Sequence, residues 1–307
     1  MLQYLNILLD DGAVSFCHYA ANKEQRLISI DTLKDGIRFA MMENLMIQFV
    51  YPDNPLPKEY NNVIESIDHF NIKRNGEDAD VCVVDNWDFS DANADVPIVL
   101  RTRWKTFVEN TETLQQIIPQ LKKINIVFTD VESFSDAGNT YNNALKAICE
   151  TLKQCYIQGN TPQVNIVSDR ITLSSMNNCG AGDTNITLAP NGKFYICPGF
   201  YYENEMDSVG DLANGLDIKN KQLYRLDHAP ICSHCDAYQC KRCIWLNRKT
   251  TLEVNTPSHE QCVLAHLERN ASRELLQNIR KHGTFLPEQE EIKEIDYLDP
   301  FDKREEW

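Results

Sequence analysis

The chain has 307 residues, 42% of them hydrophobic, enough for one large domain, or one large and one small, around a sizeable core. Acidic residues outnumber basic ones by 45 to 30, a net charge near -15, which argues against a nucleic-acid partner, because that affinity rests on many Lys and Arg contacts to phosphate. No stretch approaches the roughly 18–20 apolar residues of a membrane span, and MLQYLNILLDDGAV lacks the basic start of a signal peptide, so a cytoplasmic protein with no membrane partner is expected.

In chain order, short apolar runs at Tyr4–Leu9, Met46–Tyr51, Asp80–Val84, Ile98–Arg101, Ile124–Thr129 and Val164–Ser168 read as strands buried on both faces, the pattern of a parallel sheet. Between the first two, Ser29 or Asp31 can cap a helix whose Leu33, Ile37, Phe39 and Ala40 form one apolar face. Residues 58–67 suit a shorter helix, 104–118 a longer one stopped by Pro119, and 140–156 a fourth, while the crossover near 87–94 is stunted. Repeated strand–helix units imply parallel strands and right-handed crossovers. The expected fold is therefore α/β, an open partial (β/α)6 barrel rather than a closed eight-stranded one. The strand ends that would form its mouth carry Tyr51, Asp53, Asp85, Asn86, Arg101, Arg103, Asp130, Glu132, Asp169 and Arg170, a mixed polar set suited to a peptide. No G-x-S-x-G and no phosphate loop is present.

Near 170–178 the texture changes, so residues 1–174 are expected to form the barrel, 175–265 a small Cys-rich domain, and 266–307 a C-terminal helix and acidic tail. "PNGKFYIC" places Asn191-Gly192 beside residues of strand character, a hairpin signal. From about residue 258, "SHEQCVLAHLERNASRELLQNIRKH" reads as a helix with basic residues late, as its dipole favours.

Seven of the eleven cysteines are Cys179, Cys197, Cys232, Cys235, Cys240, Cys243 and Cys262. Clustered thiols in a reducing compartment point to metal or cluster ligation rather than disulfides. A C-x2-C pair lets two thiolates reach one metal, and Gly192 can turn Cys197 back toward Cys179. The intervening Ser233, His234, Asp236, Gln239, Lys241 and Arg242 are too polar for the thiols to be ordinary core residues. Four-thiolate sites suit zinc and iron–sulfur clusters alike, and seven ligands leave one position open or filled by His228 or His234. Cys17, Cys82, Cys149 and Cys155 read as small buried hydrophobes.

The seven-cysteine order, with G-x4-C after the first Cys and two close pairs before a lone last one, resembles the SPASM domain, the C-terminal extension of radical S-adenosylmethionine enzymes that modify peptides. That resemblance implies two [4Fe–4S] clusters, with Cys179, Cys197 and Cys243 on the first and Cys232, Cys235, Cys240 and Cys262 on the second. The middle spacing is x2, x4, x2 where the family has x2, x5, x3, so zinc stays open as the alternative. "FCHYAANKEQRLISIDTLKDGIRFAMMENLMIQFVYPDNPLP" resembles the radical S-adenosylmethionine barrel in layout. The family's cluster cysteines fall here on Cys17, Ala21 and Glu24, and its Gly-Gly-Glu on Tyr51, Pro52 and Asp53. A degenerate barrel that does not bind S-adenosylmethionine is the resulting expectation. The whole pattern, including "LEVNTPSHEQCVLAHLERNASR", is similar to the CXXX repeat peptide maturase group. It implies maturation of a precursor peptide with Cys repeats, in company with a catalytic maturation partner. A redox or sulfur-chemistry enzyme using the clusters, and a zinc-stabilised binding module, are the alternatives.

Overall fold

The computed structural model describes residues 2–23, 26–74, 78–135, 139–176 and 179–285. The acidic tail from Leu286 onward and the cluster-loop position Glu24, both named above, lie outside the described residues. In chain order the strands are β1 (Tyr4–Leu8), β2 (Met46–Val50), β3 (His69–Lys73), β4 (Val81–Val84), β5 (Ile98–Thr102), β6 (Lys123–Phe128), β7 (Gln163–Val164), β8 (Asn185–Leu188), β9 (Phe194–Tyr195), β10 (Gly210–Asp211) and β11 (Gly215–Leu216). The helices are α1 (Ile30–Met42), α2 (Lys58–Ile64), α3 (Trp104–Glu109), α4 (Thr111–Ile117), α5 (Thr140–Ile157), α6 (Asn165–Thr172), α7 (Pro198–Glu203), α8 (Ile244–Thr251) and α9 (His259–Arg280). The chain divides into two compact units, Met1–Val96 with Gly180–Ala229 and Pro97–Cys179 with Pro230–Trp307, each built from two separate stretches of sequence.

In the first unit the strand order is β4-β3-β2-β1-β8-β9, all parallel except β9, which returns antiparallel to β8. The β8–β9 turn is the one that Asn191-Gly192 predicts. Gly192 sits at φ +74, where a side chain would be strained, and its N–H closes the turn on the Ala189 carbonyl. Ser29 caps α1, its Oγ accepting from the Thr32 N–H at 3.0 Å. Leu33, Ile37 and Ala40 bury the predicted face, and Phe39 packs on Phe194 at 4.6 Å between ring centroids. A Cβ at Gly36 would run into the Leu188 side chain, which would have to shift to admit it. Strand β3 has no counterpart in the apolar pattern. Its buried Asn71 is anchored by Asp78 and Asp80: the backbone N–H donates to Asp80 at 2.7 Å and the side chain donates to the Asp78 carbonyl at 3.0 Å.

In the second unit β7, β6 and β5 lie in that order and are parallel. The predicted helix 104–118 breaks into α3 and α4 at Asn110, whose side chain donates to the Thr106 carbonyl. The strand expected over Val164–Ser168 stops after Val164 and becomes α6. The reason is local chemistry. The Asn165 amide accepts from the Ile126 N–H at 2.7 Å and donates to the Ile126 carbonyl at 3.1 Å, replacing the next rung of the ladder. Ser168 Oγ then bonds both the N–H and the carbonyl of Val164. With β6 satisfied by side chains, the chain is released into a helix that packs on α9. Tyr141 on α5 is the hub of the core, with Phe107, Phe128 and Phe134 around it at 5.3–5.8 Å.

Candidate functional site

The cysteine loop lies in the second unit. Cys232 opens a single turn, Cys232–His234, the chain continues without regular structure to Cys243 at the start of α8, and Cys262 stands one turn into α9. Two backbone donors point at sulfur: the Ala237 N–H at Cys235 Sγ and the Arg242 N–H at Cys240 Sγ, each at 3.4 Å. His266 Nε2 is 3.6 Å from Cys235 Sγ. Gln239, between the close pairs, donates to the Ala265 carbonyl at 2.6 Å and ties the loop to α9.

These contacts bring Cys232, Cys235, Cys240 and Cys262 into one neighbourhood. Burial pushes the Cys240 thiol well up; the Arg242 N–H opposes this, while Cys232, Cys235 and Cys262 add to it. Burial, then the Cys235 thiol, push Cys232 up to about 11, against the pull of the Arg242 charge. Clustered thiols, with two N–H groups aimed at sulfur, fit a cationic iron–sulfur or zinc centre, whose binding would release thiol protons. Among the described residues no three His, Cys, Asp or Glu side chains are gathered closely enough to hold a single metal ion. Cys179 is in the same unit, its N–H donating to the Lys241 carbonyl at 3.1 Å, and so is Cys243. Cys197 belongs to the first unit.

Beside the loop is a buried charge network that the sequence does not announce. Asp236, 3% exposed, receives Arg170 at 3.3 Å on one oxygen and Arg269 at 3.2 Å on the other, and Arg170 Nε also donates to the Asp236 carbonyl. Arg170 on α6 and Arg269 on α9 thereby clamp the residue that follows Cys235. Asp169, next in line, faces Lys123 and Lys241, each at 3.6 Å. The expectation that Asp169 and Arg170 line a barrel mouth is therefore wrong: both are about 2% exposed, because the expected strand end is a helix turned inward. Asp130 is also committed locally, accepting from the Trp104 N–H, and Glu132 pairs with Lys249.

In the first unit the loop after β1 is tied down by hydrogen bonds and ion pairs. The buried Tyr201 hydroxyl on α7 donates to Asp11, Arg26 donates to both Asp11 and Tyr201, and Lys23 pairs with Glu205 at 2.7 Å. Tyr19 stacks on Tyr202 at 5.4 Å. Burial pushes the Tyr19 hydroxyl well up, and the nearby Tyr202, Cys17 and Cys197 add to it. Cys82 and Cys155 are buried, as expected; Cys17 and Cys149 are only half-buried.

A cleft of about 440 Å³ opens where β2 and β3 end, lined among others by Tyr51, Pro52, Asp53, Asn61, Lys73 and Arg74. Arg74 is fixed by two carboxylates, Asp53 and Asp85. The Lys73 ammonium lies 4.2 Å over the Tyr51 ring and pairs with Asp78. Its wall sets apolar Pro52, Pro55 and Leu56 beside these fixed polar groups.

No protein-family model matches the chain, and no curated protein is significantly similar to it. Solved structures share its fold. One, native anSMEcpe with bound AdoMet and Cp18Cys peptide, superposes with a TM-score of 0.64 at 12% identity, covering 92% of this chain and 100% of that one. A polyhistidine-tagged anSMEcpe with bound AdoMet gives 0.62 at 13%, covering 91% and 96%. Native anSMEcpe with AdoMet and Kp18Cys peptide gives 0.62 at 12%, covering 91% and 99%. The α/β fold with its parallel sheet, expected from the sequence pattern, thus resembles the radical S-adenosylmethionine fold. The expectation that S-adenosylmethionine has no place here is overturned: the structures of this fold hold AdoMet. Among the described residues no helix is long and apolar enough to cross a membrane.

Proposed function

We propose that this chain is a peptide-maturation protein of the radical S-adenosylmethionine/SPASM kind, with a Cys-containing precursor peptide as its partner. The observation that carries the reading is the fold, shared along nearly the whole chain with structures that hold AdoMet and a peptide. The first unit, with its cleft at the ends of β2 and β3, is the proposed seat of these ligands. Cys232, Cys235, Cys240 and Cys262 are the proposed ligands of an iron–sulfur centre, which when bound supplies one-electron transfer. The chain's own part is to present four thiols, direct the Ala237 and Arg242 N–H groups at sulfur, and bury the centre beneath α9. On cysteine order alone, Cys179, Cys197 and Cys243 are proposed for a second cluster. The C-terminal sequence pattern further favours a peptide with CXXX repeats.

The test is anaerobic purification with iron and acid-labile sulfide analysis, followed by calorimetry with AdoMet and with a synthetic Cys-x-x-x repeat peptide. Iron, sulfide and binding of both ligands are expected, and Cys262→Ser should remove one cluster's share of the iron. Stoichiometric zinc without sulfide would refute the cluster, and absence of peptide binding would refute the maturation role.

A further inference from the structure

One face of α9 is turned toward the cysteine loop. Cys262, His266 and Arg269 follow one another at i, i+4 and i+7, so they share one side of the helix, and all three are buried. Arg269 donates to Asp236 at 3.2 Å, and His266 Nε2 lies 3.6 Å from Sγ of Cys235, the residue before Asp236. Gln239 donates to the carbonyl of Ala265, the residue before His266. The register of α9 is thereby locked to the loop at the level of Cys235, whose sulfur also meets the Ala237 N–H at 3.4 Å.

Three roles are open to an imidazole at this distance, and geometry separates them. Ligands of two different irons in a cluster point away from each other and stand much further apart than 3.6 Å. Joint ligation of one ion would fit the distance, since a metal–sulfur bond of about 2.3 Å and a metal–nitrogen bond of about 2.0 Å place the donors about 3.5 Å apart at a tetrahedral angle. Such an ion needs further donors close by, and among the described residues no three His, Cys, Asp or Glu side chains gather so closely. The third role is a hydrogen bond. A metal-bound thiolate carries no proton, so in that bond Nε2 carries the hydrogen and sulfur accepts it.

We infer that His266 is a positioning residue of the four-thiol centre, donating its Nε2–H to Cys235 Sγ when that sulfur binds metal. The inference rests on the centre proposed above. A donor on a ligating sulfur draws charge from it, which favours the reduced, more negative state of an iron–sulfur centre and holds the thiolate in its ligating orientation.

The experiment compares the full chain with His266→Phe, which keeps a planar ring but no donor, and His266→Gln, whose amide restores an N–H. Each is reconstituted anaerobically with iron and sulfide, and the reduced fraction of the centre is followed by electron paramagnetic resonance during a potentiometric titration. At a fixed potential the reduced-to-oxidised ratio should fall about fivefold in His266→Phe, a displacement of about 40 mV for one electron, and return toward the parent in His266→Gln. Equal potentials in the parent and His266→Phe would overturn the inference. Loss of the centre's iron from both variants would overturn it too, because that is the mark of a ligand. The parent with isotope-labelled histidine gives a readout that does not depend on how His266→Phe folds. A weak nitrogen coupling to the reduced centre, absent from His266→Gln, is expected; the strong coupling of an iron-bound nitrogen, or no coupling, overturns the inference. If the parent takes up zinc and no iron, the iron–sulfur reading falls and the inference is judged by chelator competition. Roughly tenfold weaker zinc retention in His266→Phe, restored in His266→Gln, then supports it, and equal retention overturns it.

Discussion

Glu268→Gln isolates a buried carboxyl whose effect can be worked out in advance. Glu268 lies on α9, fully enclosed, and accepts a hydrogen bond from Tyr141 at 2.8 Å. Burial raises its pKa to about 8, against the partial relief of bonds from Tyr141 and Gln239. The folded chain therefore keeps this proton to a higher pH than the unfolded chain, where an ordinary Glu ionises near 4.5. Rising pH then favours unfolding: the stability contributed by the neutral carboxyl is complete below about 4.5 and is lost as pH climbs through 8. The full difference amounts to about 5 kcal/mol, of which about 2 kcal/mol falls between pH 6 and pH 8. The glutamine amide would keep the acceptor for Tyr141 and never ionise. Urea unfolding of parent and variant, in the same metal-loading state, should show the variant's relative stability rising by about 2 kcal/mol from pH 6 to pH 8. A difference between the two proteins that is independent of pH would refute the reasoning, because it would mean that Glu268 is already ionised in the fold.

Two further outcomes follow from buried networks, one in each unit. Asp236→Asn should cost about 3–5 kcal/mol by leaving the Arg170 and Arg269 charges without their shared carboxylate. A thermal melt should show a drop of about 10 °C together with reduced iron retention, and an unchanged melt would show that the clamp is not structural. Tyr201→Phe should cost about 1–3 kcal/mol, because buried Asp11 loses a donor. Amide exchange should then quicken over residues 10–23 while α9 keeps its protection, and uniform exchange across both would refute a local clasp.

Much of this protein could be read from its residues. Alternating strand and helix patterns set the parallel α/β plan, since strands buried on both faces must be continuously apolar. Ser29 and Asn191-Gly192 marked a cap and a turn because both act through neighbours within three residues. Strand β3 escaped notice because Asn71 becomes a tolerable buried residue only when Asp78 and Asp80 arrive to bond it. The 164–172 segment has apolar residues that satisfy either period; what turns it into a helix is Asn165 bonding Ile126, 39 residues away. Arg170 looked like a surface group at a strand end until Asp236, 66 residues further on, proved to be its partner. Local propensity is written in adjacent residues and can be read there. Burial of charge depends on a partner brought by folding, so Arg170 and Glu268 acquired their roles only in the tertiary structure.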